Sequence, residues 1–234
     1  MTHFDRRQAI ASEEIEAIGQ QALQPRLATN VKSYFSLPKR LLDLCLAMLM
    51  APVLVPLIVV LWLLVRSDGG PGFFGHNRVG RHGKHFNCYK LRSMVPDAEV
   101  RLQIYLAENS QAAAQWQRDY KLDDDPRITK LGQFLRRSSL DELPQLWNVL
   151  RGEMSLVGPR PVTAPELSMY GSRAGIYRSM RPGITGLWQV SGRNSVSYER
   201  RVDLDEEYFH RANLLLDLLI IAKTALAVLN RTGR

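Results

Sequence analysis

The run Leu44–Val65 reads LCLAMLMAPVLVPLIVVLWLLV and carries no charge. About 20 apolar residues in helical form reach across the hydrocarbon core of a bilayer, and a soluble domain rarely needs so long a run. Two features argue against a simple span. Pro52 and Pro56 sit near its middle, where each removes a backbone hydrogen bond and bends a helix. Basic residues also flank both ends, Lys39 and Arg40 before it, then Arg66, Arg78, Arg81 and Lys84 after it. The preference for positive charge on the cytoplasmic side therefore assigns no direction to a span. A helix that enters the membrane, breaks at the prolines and returns to the same face satisfies both flanks.

The chain has 234 residues, enough for one domain with a sizeable core and an appended arm. Its net charge of +8 points to an anionic partner: nucleic acid, phosphate substrates and anionic headgroups all qualify. Cys45 and Cys88 do not make a disulfide framework and read as free thiols on a reducing side. The first thirty residues are charged and lack an apolar core, so no signal peptide is expected.

Taken in order, residues 1–38 form an arm, 39–66 the membrane helix and 67–234 a cytosolic catalytic domain. In the arm, Ser12 can cap a short amphipathic helix with Glu13 and Glu14 in its first turn. Gly69 to Gly72 mark a turn, and Phe73-Phe74 suit the edge of a bilayer. Arg78 to Lys90 reads as a basic β-hairpin or loop, and His76, His82 and His85 lack zinc-site spacing. Ala98 to Leu122 is helical, with Leu102, Tyr105 and Leu106 on its inner face. Ile128 to Arg137 is the next helix, burying Leu131, Phe134 and Leu135. A helix around Glu166–Tyr170 follows, then a turn-rich segment from Arg181 to Asn194. Tyr198 to Tyr208 is a charged helix. Asn213 to Asn230 is apolar but interrupted by Asp217 and Lys223, which fits an interfacial helix better than a second span.

The most informative stretch is Ser138–Pro161, SSLDELPQLWNVLRGEMSLVGPRP. Ser139 and Glu142 have capping-box spacing, or Asp141 caps instead with Pro144 in the first turn. Leu140, Leu143, Trp147 and Leu150 make an apolar stripe facing inward. Asp141, Gln145 and Asn148 make a polar one. Acidic residues in a first turn often only complement the helix dipole. Here, however, Arg127, Lys130, Arg136, Arg137, Arg151 and Arg160 crowd one Asp-Glu pair, which suits a divalent metal and a phosphorylated ligand. Arg160, fixed between Pro159 and Pro161, is a candidate phosphate clamp, because guanidinium binds phosphate oxygens as a fork.

The segments Asp125–Leu150 and Gly152–Pro161, with KLRSM at Lys90–Met94 and RPGITGLWQVSGRN at Arg181–Asn194, resemble the signature of the bacterial sugar transferases. These are the monotopic phosphoglycosyl transferases that prime exopolysaccharide assembly. The resemblance runs from about Lys39 to the C-terminus and implies an α+β fold, mostly helical, with a re-entrant membrane helical hairpin and interfacial amphipathic helices. It implies that a sugar-1-phosphate moves from a UDP-sugar, galactose or glucose, to undecaprenyl phosphate in the bacterial inner membrane, with the catalytic domain cytoplasmic. Asp141 is the implied nucleophile, displacing UMP, and Glu142 with Asp141 is the implied Mg²⁺ site. Substrate contacts are expected from Arg160, Lys90, Arg92, Arg127, Arg181, Gln189 and Arg193. The oligomeric state is open to a homodimer.

A different class of function is a membrane-tethered basic protein that binds anionic lipid or nucleic acid. No nucleic-acid motif appears, and aromatics are not interleaved with the basic residues, so nucleic acid is not expected as a partner. Metal-dependent turnover of a UDP-sugar separates the two readings.

Overall fold

The computed structural model describes residues 34–119, 121–192 and 196–229. The N-terminal arm up to residue 33 and Arg193 lie outside the described residues.

Helix α1, Leu37–Arg66, is one continuous element through Pro52 and Pro56. The expected break into two helices is absent. Each proline deletes a single i→i−4 bond, which the flanking helix-forming residues outweigh. Leu46, Met50, Leu54, Leu57 and Leu61 recur every three or four residues and pack on the domain. Met48, Leu49, Val53, Val59 and Val60 face outward, exposed. Both ends are tied to the same domain. Near the start, Arg40 donates to the Val149 and Leu150 carbonyls at 2.6 and 2.9 Å. Near the end, Arg92 donates to the Val65 carbonyl at 3.0 Å, and Leu61 and Val65 pack with Leu91 and Leu135.

Of the two readings of the basic stretch, hairpin or loop, the hairpin forms, and it begins earlier, at Phe73. Strands β1 (Phe73–Val79) and β2 (His85–Leu91) pair antiparallel from Phe73 opposite Leu91 to Val79 opposite His85. The region expected as one helix from Ala98 is two, α2 (Ala98–Glu108) and α3 (Ser110–Asp119). Asn109 adopts extended geometry between them, and its side chain caps the second through the Ala112 N–H at 2.9 Å. Helix α4 (Lys130–Ser138) buries Leu135 but leaves Phe134 exposed.

Beyond a 3₁₀ turn, α5 (Gln145–Arg151) leads into β3 (Ser155–Val157). The short helices α6 (Ala164–Ser168) and α7 (Ala174–Ser179) follow, then β4 (Gly183–Thr185), parallel to β3, and α8 (Leu187–Val190). Helices α9 (Tyr198–Arg211) and α10 (Leu214–Leu229) complete the described chain. The fold is therefore α+β and mostly helical, with two small two-stranded sheets among the described residues. Its main core gathers Phe86, Leu146, Val149, Met154, Tyr208 and Ile220.

Helix α10 exposes Leu214, Leu215, Leu218, Leu219 and Leu226. Asp217 does not interrupt that apolar face, because it points inward and is fully buried. Lys39 Nζ stands 2.6 Å from it, and Tyr34 and Tyr208 donate to it at 2.6 and 2.7 Å. A buried carboxylate needs such partners. They also join the start of α1 to α10, so Lys39 and Arg40 are used inside the domain and are not loose flanking charges.

Candidate active site

The site is assembled where β2 ends. The free edge of β2 leaves backbone groups to satisfy, and Asn148 of α5 meets them. Its Oδ1 accepts from the Tyr89 N–H at 3.1 Å, and its Nδ2 donates to the Asn87 carbonyl at 2.8 Å. That exchange turns the expected polar stripe inward: Asp141, Gln145 and Asn148 are buried, whereas Trp147, expected inside, is 58 % exposed. Helix α4 approaches the chain after β2 through Gly132, where a Cβ would stand 1.9 Å from the Ser93 carbonyl oxygen. Only glycine permits that approach.

Neither expected cap forms. Ser139 closes α4 in the left-handed region at φ 57°, and its side chain caps nothing. Leu140–Glu142 is a 3₁₀ turn, anchored by Leu140 and Leu143 in the cluster with Leu91 and Leu135. The turn aims both carboxylates at Lys90 of β2, whose Nζ lies 2.7 Å from Glu142 Oε1 and 3.4 Å from Asp141 Oδ2. Sequence spacing placed Asp141 and Glu142 together but not Lys90 across from them.

Burial pushes the Asp141 carboxyl above the usual range, and the Glu142 charge adds to the rise; Lys90 and Arg136 oppose it without cancelling it. Desolvation outweighs the nearby cations. Lys90 is itself disfavoured by desolvation, yet Glu142 and Asp141 hold its ammonium above the ordinary lysine range. Two carboxylate groups converging on one cationic position fit Mg²⁺, which accepts one or two protein carboxylates and completes its shell with phosphate and water. Among the described residues, no group of three or more His, Cys, Asp or Glu side chains could hold a metal.

Arg160 is held by backbone pairing. The Gly158 N–H donates to the Thr185 carbonyl at 2.9 Å and the Gly183 N–H to the Pro159 carbonyl at 2.8 Å. A Cβ on Gly183 would lie 2.1 Å from the Gly158 nitrogen. The Arg160 guanidinium is exposed and, among the described residues, has no hydrogen-bond or carboxylate partner. Buried Cys88 lies within electrostatic reach of Lys90, Glu142, Arg78 and Arg160, which places these four around one region. Arg78 is paired with Glu166 at 2.8 Å.

The other expected contacts sit differently. Arg92 spends its guanidinium on Asp68 and the Val65, Pro71 and Met94 carbonyls, clamping the end of α1 to β2. All five of its N–H groups are thereby engaged. Arg127 is forked onto Asp125 at 2.8 and 2.7 Å and covers Trp116. Arg181 donates to the Gly152 carbonyl at 2.8 Å, near Arg40 and Arg81. Gln189 donates to the Ile184 carbonyl at 2.9 Å. Among the described residues, Arg92, Arg127 and Arg181 thus direct their guanidinium groups to partners other than the carboxylate pair. Arg136, outside the expected contact set, donates to Ser93 Oγ at 2.8 Å and is within electrostatic reach of Asp141.

Residues 34–231 match the bacterial sugar transferase family. The chain belongs to that family. The chain is 50 % identical over 195 residues to the undecaprenyl-phosphate galactose phosphotransferase of Salmonella typhimurium, covering 83 % of this chain and 41 % of that protein. It is 49 % identical over 209 residues to the UDP-galactose-lipid carrier transferase of Erwinia amylovora, covering 89 % and 44 %. The exopolysaccharide production protein ExoY of Sinorhizobium fredii is 46 % identical over 205 residues, covering 87 % and 91 %. The chain thus spans less than half the length of the first two relatives. The matched region contains the hairpin, the carboxylate pair and the Gly-Pro-Arg-Pro turn.

Proposed function

We propose that this transferase moves a sugar-1-phosphate from a UDP-sugar to undecaprenyl phosphate and releases UMP, priming exopolysaccharide synthesis at the cytoplasmic face of the bacterial inner membrane. The observation that carries it is Asp141: a desolvated carboxylate beside Glu142 and Lys90, with an unpaired Arg160 in the same region. The names of its relatives from Salmonella and Erwinia make galactose the first sugar to try.

An Asp141 carboxylate oxygen forms a bond to the β-phosphorus. The bond from that phosphorus to the bridging oxygen breaks, and UMP leaves with the electron pair. An oxygen of the lipid phosphate then forms the new bond to phosphorus, and the aspartyl oxygen departs with its pair. Desolvation makes Asp141 a better nucleophile than a hydrated carboxylate. Lys90 offsets negative charge as the diphosphate approaches two acids, and Arg160 supplies a planar fork for phosphate oxygens. Mg²⁺, held by Asp141 and Glu142, would supply further charge neutralisation for the diphosphate.

The fastening of α1 at both ends supports a re-entrant helix that is not split at the prolines. Its first and last turns are both fastened to one domain, and its middle presents an apolar outer face. A straight span would carry its far end across the bilayer, about 45 Å from its start for 30 residues. The outward leucines of α10 suit the same membrane surface.

The test is a panel of UDP-sugars with undecaprenyl phosphate, identifying the released nucleotide. UMP supports the proposal; release of UDP would show a conventional glycosyltransferase instead.

A further inference from the structure

The buried ring of Trp188 in α8 has two guanidinium groups against it. Arg201 Cζ lies 4.7 Å from the ring centroid and Arg160 Cζ lies 5.8 Å from it. Like charges gathered on one aromatic surface repel, and a cation–π contact offsets that only in part. Burial, followed by the Arg160 charge, holds the Arg201 guanidinium below its ordinary range.

The acids nearby relieve them only in part: Glu166 and Asp205 act on the arginines at a distance, without an ion pair. Helix α9 carries five carboxylates around Arg201. Asp203 and Glu206 are taken by Arg173, Glu207 by Arg211, and Asp205, one turn on from Arg201, accepts from Tyr170 at 2.8 Å. Glu199 pairs with neither arginine, and Glu166 is held by Arg78. Among the described residues, Arg201 Nε is buried without a hydrogen-bond partner and no acid pairs with the guanidinium. An unpaired buried donor on a cation is costly, so this arrangement is incomplete without an anion.

We infer that Arg160 and Arg201, carried on Trp188, form a two-armed site for a phosphate group of the substrates. A tetrahedral phosphate offers enough oxygens for two forks, whereas a lone carboxylate fills one. The inference rests on the phosphoglycosyl-transfer reading and extends it, since Arg201 stood outside the expected contacts. The phosphate belongs either to the nucleotide or to the lipid, and the two sources give different kinetics.

The experiment uses the full chain in detergent or nanodiscs, with Arg201→Lys and Arg201→Gln. Inorganic pyrophosphate should raise the melting temperature of the parent, and Arg201→Lys should blunt that response while melting normally without ligand. In steady state, KM for the UDP-sugar should rise about tenfold if the site holds the nucleotide phosphate, the scale of one lost charge-assisted contact. A rise confined to KM for undecaprenyl phosphate assigns the lipid instead, and a rise in both assigns one position visited in turn. If Arg201→Gln does not fold, Arg201→Lys alone decides the matter. Unchanged KM values and an unchanged pyrophosphate response overturn the site, even if kcat falls. If the parent turns over no UDP-sugar, the enzymatic reading fails, and the pyrophosphate response still judges the site separately.

Discussion

Asn148 Oδ1 accepts the Tyr89 N–H at 3.1 Å, one residue before the lysine that faces the carboxylate pair. With its Nδ2 on the Asn87 carbonyl, the same side chain ties α5 to the free edge of β2. Asn148→Ala should strand both backbone groups in a buried place. The expected cost is about 2–4 kcal/mol of stability, with a loss of kcat as Lys90 drifts. Thermal melts beside kinetics check it; a variant as stable and active as the parent would refute the tie.

Asp141→Asn should abolish turnover without unfolding the protein. The folded pKa of Asp141 is raised, so its favourable contribution is complete below the ordinary carboxylate range and lost as pH rises through the raised value. At neutral pH the ionised group therefore costs stability, and the amide should melt no lower than the parent. Glu142→Gln should lose most activity, with partial recovery at higher Mg²⁺. The parent should release about one UMP per enzyme without lipid acceptor, and acid-quenched protein should carry a phospho-sugar on Asp141 by mass spectrometry. Full activity in Asp141→Asn, or UMP only in the presence of the lipid, sinks the nucleophile assignment.

Asp205 sets a second pH dependence. It is almost wholly buried, and desolvation pushes its carboxyl up to about 7 against the pull of Tyr170 and Arg201. Because the folded state holds this proton more tightly than the unfolded chain, stability should fall between about pH 4 and pH 7, by roughly 1.4 kcal/mol per unit at most. Melting temperatures from pH 5 to 8 should decline and then level, and Asp205→Asn should remove most of that slope. Equal slopes in both proteins would reject the assignment.

Both ends of α1 should lie on the cytoplasmic side. With Cys45, which is exposed, replaced by Ser, cysteines introduced at Ser36 and Ser67 should react with an impermeant reagent only from that side. Labelling of one position from the periplasm alone would exclude the re-entrant arrangement. Pro52→Leu with Pro56→Leu should restore the two missing bonds and favour a full span.

What could be read from the chain alone was what depends on residue type and local spacing. The uncharged run to Val65, the basic stretch, the Asp141-Glu142 pair and the rigid turn at Arg160 are properties of neighbours in sequence. Which cations meet which partners depends on residues far apart in the chain, and only the tertiary structure decided it. Arg92 and Arg127 look like phosphate ligands until Asp68 and Asp125 are seen to hold them. Lys90 stands opposite Asp141 because a strand edge, an asparagine and a glycine contact bring segments some 50 residues apart together. Arg201 was hidden for the opposite reason. In sequence it is surrounded by acids that should neutralise it, and in the fold each of those that is paired turns to another partner. Periodicity shows which face of a helix is polar but not whether that face meets water or a strand with unpaired backbone groups, and at α5 it met the strand.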